Sequence, residues 1–194
     1  AGLPARARMT RAGPPEALIK RVRKHPGAVL LRSAVPGGVQ ARYSFVAANP
    51  FLTFRSWGSR CELATAREQR LQFGNPWQAL AGLLARYELL DEIDLPFPLG
   101  GCFGYWGYDL KNYLEPRLPR RAARDLELPD CHFGFYDSLV AFDHELDKCW
   151  IVSTGLGLDG SRSETQAREA VSFWTRELEA TADPADRHTP GADG

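Results

Sequence analysis

The sequence predicts an α+β fold. Its apolar β-type runs come in adjacent pairs joined by short polar or glycine-containing turns, the pattern of antiparallel hairpins. The helical stretches sit between groups of strands instead of alternating with them one for one, which argues against a doubly wound parallel sheet. A length of 194 residues, 44% hydrophobic and 25% charged, suits a globular chain with a sizeable core. A single domain is expected over 14–180, between a disordered N-terminus at 1–13 and a polar, Pro/Gly-containing tail or linker at 181–194.

Pro14-Pro15-Glu16 opens the first helix, which carries Leu18, Ile19 and Val22 on one side and ends at Lys24, its basic end matching the negative pole of the helix dipole. Ala28 to Ser33 reads as a short buried strand, Val35-Pro-Gly-Gly38 as a turn, and Arg42 to Ala47 as the returning strand. Phe51 to Trp57 and Arg60 to Ala64 flank Gly58-Ser59 as a second hairpin. Asn75 caps a helix with Pro76 in its first turn and Trp77, Leu80, Ala81, Leu84 and Tyr87 at helical spacing, running to about Leu90. Leu95 to Tyr108 is an uncharged run in which four of 14 residues are Gly and seven are aromatic or bulky aliphatic. It predicts a buried strand with tight turns where backbone meets backbone. A loop over 115–130 leads to a strand at 132–143, which pairs with one at 148–154. Ser161-x-x-Glu164 predicts a capping box for a last helix with Ala167, Val171, Trp174 and Leu178 on one face.

Lys+Arg and Asp+Glu both number 24, so no net field draws the chain to nucleic acid or membrane. No run is long and apolar enough for a membrane span or a signal core. Cys61, Cys102, Cys131 and Cys149 match no zinc or redox spacing, and a reducing, cytoplasmic setting is expected. Met9 is the only methionine, so Ala1 reads as something other than a natural start.

Chemical motifs are sparse. Gly100, Gly101, Gly104 and Gly107 lack both dinucleotide-binding and P-loop register, with no helix directly behind them. Phe133-Gly-Phe-Tyr136 has the outline of an RNA-recognition strand, but Asp130, Asp137 and Asp143 surround it where phosphates would need cations, so these aromatics are expected to face a core. His25, His132, His144 and His188 show no metal-type spacing and no Ser or Cys partner visible in sequence. Asp109 reads as a turn cap. One hairpin has the groups of a small-ligand site. An α-amino acid needs a donor for its carboxylate and an apolar slot for its side chain, and Arg42 or Ser33 meets the first need while Tyr43 walls the second. The residues alone favour a structural hairpin with a surface arginine.

These segments resemble the N-terminal region of component I of aminodeoxychorismate (para-aminobenzoate) synthase and anthranilate synthase. The likeness runs through Pro26-Gly-Ala-Val-Leu-Leu-Arg-Ser33, Arg42-Tyr-Ser-Phe-Val-Ala-Ala-Asn-Pro50, Leu95-Pro-Phe-Pro-Leu-Gly-Gly-x-x-Gly-Tyr-x-Gly-Tyr-Asp-Leu110, and Leu128-Pro-Asp-x-x-x-Gly-x-Tyr-Asp137 with Asp143-His144. It implies antiparallel sheets packed as a sandwich with flanking helices. It also implies a tryptophan site formed by Ser33, Gln40, Ala41, Arg42, Tyr43 and Ser44. Arg32 stands where anthranilate-type members usually have Glu, which tilts the reading toward the aminodeoxychorismate, folate-pathway branch.

In this family the chorismate site, its magnesium and its catalytic groups lie in a larger following domain. No segment here resembles that domain, and the Pro-Ile-Lys-Gly-Thr segment with its nucleophilic Lys has no match. The resemblance therefore implies a region with no catalytic residue, metal or cofactor of its own, whose partners are L-tryptophan, a C-terminal chorismate-binding domain and a glutamine amidotransferase subunit. The alternatives are the same region of an anthranilate synthase under tryptophan feedback, or a free-standing amino-acid-binding module.

Overall fold

The structure, a computed structural model, describes residues 5–9 (backbone only), 13–32, 41–89, 95–115, 117 and 127–181. In chain order these form β1 (Ala5–Met9), α1 (Pro15–Val22), β2 (Val29–Leu31), β3 (Tyr43–Ala47), β4 (Leu52–Trp57), β5 (Arg60–Ala64), β6 (Gln69–Phe73), α2 (Pro76–Arg86), β7 (Gly101–Trp106), α3 (Lys111–Leu114), β8 (Cys131–Tyr136), β9 (Ser138–Asp143), β10 (Lys148–Ser153) and α4 (Glu164–Glu179). The stretch expected as one domain is built from two compact units. One comprises Ala1–Asn49, Ser138–Leu156 and Arg162–Gly194, the other Pro50–Asp137 and Gly157–Ser161. Each has a five-stranded sheet in which all neighbours are antiparallel, a mixed α+β fold as predicted.

In the first unit the strand order is β1-β10-β9-β3-β2. Strand residues alternate between faces, so Val46 of β3 and Val140 and Phe142 of β9 share a face with the apolar sides of α1 and α4. Leu18, Val22, Ile151 and Trp174 complete this core. The Trp174 indole N–H donates to Ser138 Oγ at 3.1 Å, which satisfies the ring's one polar group in a buried position. Arg21 of α1 pairs with the buried Glu177 of α4 at 2.9 Å. Residues 5–9, expected to be disordered, form β1 through backbone pairing with β10. α4 starts two residues later than its predicted box. Ser163 is the cap, accepting from the Gln166 amide, while Ser161 donates its hydroxyl to Asp159.

The second unit orders its strands β6-β5-β4-β8-β7. Phe54, Leu80, Leu110, Phe133 and Phe135 form its core, so Phe133 and Phe135 of the 133–136 motif face inward as expected. Asn75 caps α2 by accepting from the Trp77 amide at 2.9 Å. The predicted strand at 132–143 is two strands. The pairing breaks at Asp137, and β8 and β9 lie in different sheets. β6, whose five residues are all exposed, buries neither Leu71 nor Phe73 and forms by pairing with β5.

Strand β7 also departs from expectation: it is a sheet edge, with Gly101, Gly104, Tyr105 and Trp106 exposed. Its glycines serve close approach more than burial. A Cβ at Gly104 would run into the His132 carbonyl oxygen, and one at Gly107 would lie 2.7 Å from that of Asp130. Asp130 is held in turn by a hydrogen bond that its carboxylate accepts from the amide of Gly58, at φ +58° in the β4–β5 turn. All four cysteines are free thiols. Burial pushes Cys102 up to about 12, so it is no thiolate nucleophile at neutral pH. Among the described residues, no helix is long and apolar enough to cross a membrane.

Candidate functional site

The polar corner of the first unit lies where β3 begins and β9 ends. Register brings them together: Tyr43 faces Asp143, Ser44 faces Phe142, and the His144 amide donates to the Arg42 carbonyl at 2.9 Å. Arg42 grips Asp143 with Nε at 3.1 Å and Nη2 at 2.7 Å, and reaches Glu145 with Nη1 at 2.9 Å. Asp143 also accepts from the amides of Glu145 and Leu146, closing the turn into β10. Burial pushes its carboxyl pKa up. The Arg42 guanidinium and those two amides outweigh that and hold it below the ordinary carboxylate range.

On the helix-covered face, the fully buried Ser44 places Oγ 2.8 Å from His144 Nε2. Arg32, just beyond β2, donates from Nη1 to the same nitrogen at 3.1 Å and pairs with Glu16 of α1 at 2.8 Å. A cavity of about 310 Å³ opens here, walled by Pro14, Pro15, Arg32, Phe142, His144 and Lys148. That volume is at the small end of ligand pockets, which run from about 300 to 1,000 Å³.

The sequence-derived residues are therefore distributed as follows. Arg42, Tyr43 and Ser44 are brought to this corner, with Ala41 leading into it; Ser33 and Gln40 lie outside the described residues. Tyr43 and Ser44 are successive strand residues and point to opposite faces. Tyr43 shares its face with Phe45, the rings stacked at 6.4 Å, and the Arg42 guanidinium lies 5.1 Å from the Tyr43 ring centre. Burial, with the Asp143 charge next, pushes the Tyr43 phenol up, so it stays protonated at neutral pH.

Sequence reasoning missed the roles of Asp143, His144 and Glu145. They lie about a hundred residues from their partners, and only strand register connects them; the one available signal was that Asp143-His144 ends a motif of the resemblance. A Ser–His contact at 2.8 Å is also the mark of an activated serine. Here the hydroxyl is fully buried and Arg32 occupies the same imidazole nitrogen, so the pair is not arranged for attack on a substrate.

Residues 39–192 match the family model described as chorismate binding enzyme. The chain belongs to the family of chorismate-binding enzymes. It is 34% identical over 167 residues to anthranilate synthase component 1 of Acetivibrio thermocellus, covering 84% of this chain and 33% of that protein. It is 32% identical over 132 residues to aminodeoxychorismate synthase component 1 of Escherichia coli (strain K12), covering 67% of this chain and 29% of that protein. The crystal structure of anthranilate synthase component I from Streptococcus pneumoniae TIGR4 matches with a TM-score of 0.59 at 23% identity, over 75% of this chain and 31% of that one, a likeness of fold. The chain thus spans about a third of the length of these relatives. The family match runs across the segment read from sequence as non-catalytic. Among the described residues, no group of three His, Cys, Asp or Glu is placed to hold a metal ion.

Proposed function

We propose that the chain is the tryptophan-binding, scaffolding and non-catalytic region of an aminodeoxychorismate synthase component 1. The observation that carries this reading is the coverage: a family match over most of the chain that spans only a third of the relatives' length. In such an enzyme the remaining length supplies the chorismate site, and the name component 1 implies a second subunit, here one that delivers ammonia from glutamine.

The charged corner supports the ligand part. Arg42, already satisfied by Asp143 and Glu145, is a positioning residue that fixes the start of β3, while Pro14, Pro15 and Phe142 give the cavity its apolar lining. The choice of branch rests on position 32. Its guanidinium, tied to Glu16 and His144, puts a cation where a carboxylate would meet the ammonium of a bound amino acid.

Two measurements test the reading. L-Tryptophan at about a hundred times its Kd stabilises a protein that binds it only when folded by about 2.7 kcal/mol, which at this size raises Tm by about 5 to 10 °C. No shift at millimolar tryptophan overturns the ligand assignment. The chain is also expected to show no turnover of chorismate with ammonia, and turnover by the chain alone overturns the non-catalytic role.

A further inference from the structure

We infer that His144 is a positioning residue of the candidate site: as a neutral imidazole protonated on Nδ1, it ties the end of β2 to β3 through Arg32 and Ser44, and protonation at Nε2 breaks that tie. The tautomer follows from the donors. A guanidinium has N–H donors and no acceptor, so a nitrogen 3.1 Å from Arg32 Nη1 must offer its lone pair. The Ser44 hydroxyl, 2.8 Å from the same nitrogen, then shares that lone pair as a second donor. The ring proton is thereby assigned to Nδ1.

The surrounding charges decide what protonation does. Glu16 of α1 faces Arg32 and is paired with it. Asp143 and Glu145, on either side of His144, are both taken by Arg42 from the start of β3. Asp147 and Lys148, from the β9–β10 turn and the start of β10, line the same cavity as His144 and Arg32. Glu16, Asp143 and Glu145 already have guanidinium partners, so a proton at Nε2 sets two cations against each other and faces one donor with another. Arg32 swings off, and the cavity loses that arrangement of its wall. Binding at this corner weakens with it, a consequence that rests on the ligand reading proposed above; the tautomer does not.

The test uses the whole chain. In ¹⁵N-histidine-labelled protein at about pH 8, long-range ¹H–¹⁵N spectra, assigned with His144→Gln, are expected to show His144 with Nε2 unprotonated; an Nε2–H tautomer or an imidazolium overturns the inference. The second arm follows the Tm response to L-tryptophan at about pH 8. His144→Phe is expected to lose the response, and His144→Gln to restore it, because its amide oxygen accepts from both donors. A phenylalanine variant that responds like the wild type, or a glutamine variant that does not respond, overturns the role. If the wild type shows no tryptophan response, the ligand reading fails and the tautomer alone decides the inference.

Discussion

The glycine-rich strand β7 and the charged corner at β3 and β9 are built on opposite principles. β7 looks chemical in sequence, with four glycines among aromatics over 95–108, yet at Gly100, Gly104 and Gly107 a side chain would strike backbone of the neighbouring chain segment. The corner looks ordinary in sequence, an Arg-Tyr-Ser step and an Asp-His-Glu step a hundred residues apart, yet folding concentrates three ion pairs and a shared imidazole there. Unusual composition marked a tight sheet. Ordinary composition, brought into register, marked the polar cavity.

The largest test of that contrast is Gly104→Ala. Overpacking against backbone that cannot give way is expected to cost about 3 kcal/mol, read as a lower urea midpoint or failure to fold. A variant as stable as the wild type would mean that β7 does not need its glycines for close approach.

Arg42→Ala comes next. It leaves a carboxylate whose side chain is only 2% exposed without its guanidinium, itself 34% exposed, so a lower urea midpoint is expected, with a loss smaller than for a fully buried pair. The pH dependence has a definite sign. A carboxyl with its folded pKa below the unfolded value of about 3.9 contributes fully above that value and loses the contribution as pH falls through the folded one. The deficit of the variant should be complete at about pH 6 and shrink below about pH 4. A deficit unchanged down to about pH 2 would separate the loss from the ionisation of Asp143.

The smallest expected effect sharpens the glycine side. Gly82 lies in α2, and a methyl group added there would meet nothing within 4 Å, so Gly82→Ala should stabilise the protein by about 0.5 to 1 kcal/mol through helix propensity. Destabilisation by this change would show that glycine replacement is harmful here for reasons other than contact with backbone.

Much of the fold was legible because its signals are local. Asn75-Pro76 announced α2, Gly58 announced the β4–β5 turn, and the 3.6-residue spacing of Ala167, Trp174 and Leu178 announced the buried face of α4. What was not legible depends on a partner strand. Ala5 to Met9 and Gln69 to Phe73 offer only a weak, polar-rich alternation, and they form as strands by pairing with β10 and β5. The apolar continuity of 132–143 concealed the change of sheet at Asp137. In the candidate site, Arg42, Tyr43 and Ser44 were nameable from the hairpin and the family resemblance. Their opposite facings, the commitment of Arg42 to two carboxylates and the role of His144 required the β3–β9 register.

Backbone amide mapping during titration of the ¹⁵N-labelled chain with L-tryptophan tests most directly whether the corner, and not the glycine strand, is the ligand site. Saturable shifts concentrated at Arg42, Tyr43, Ser44 and His144, with Gly101 to Gly107 unmoved, are the predicted result. Shifts centred on the β7 glycines, or none anywhere at millimolar tryptophan, would contradict it.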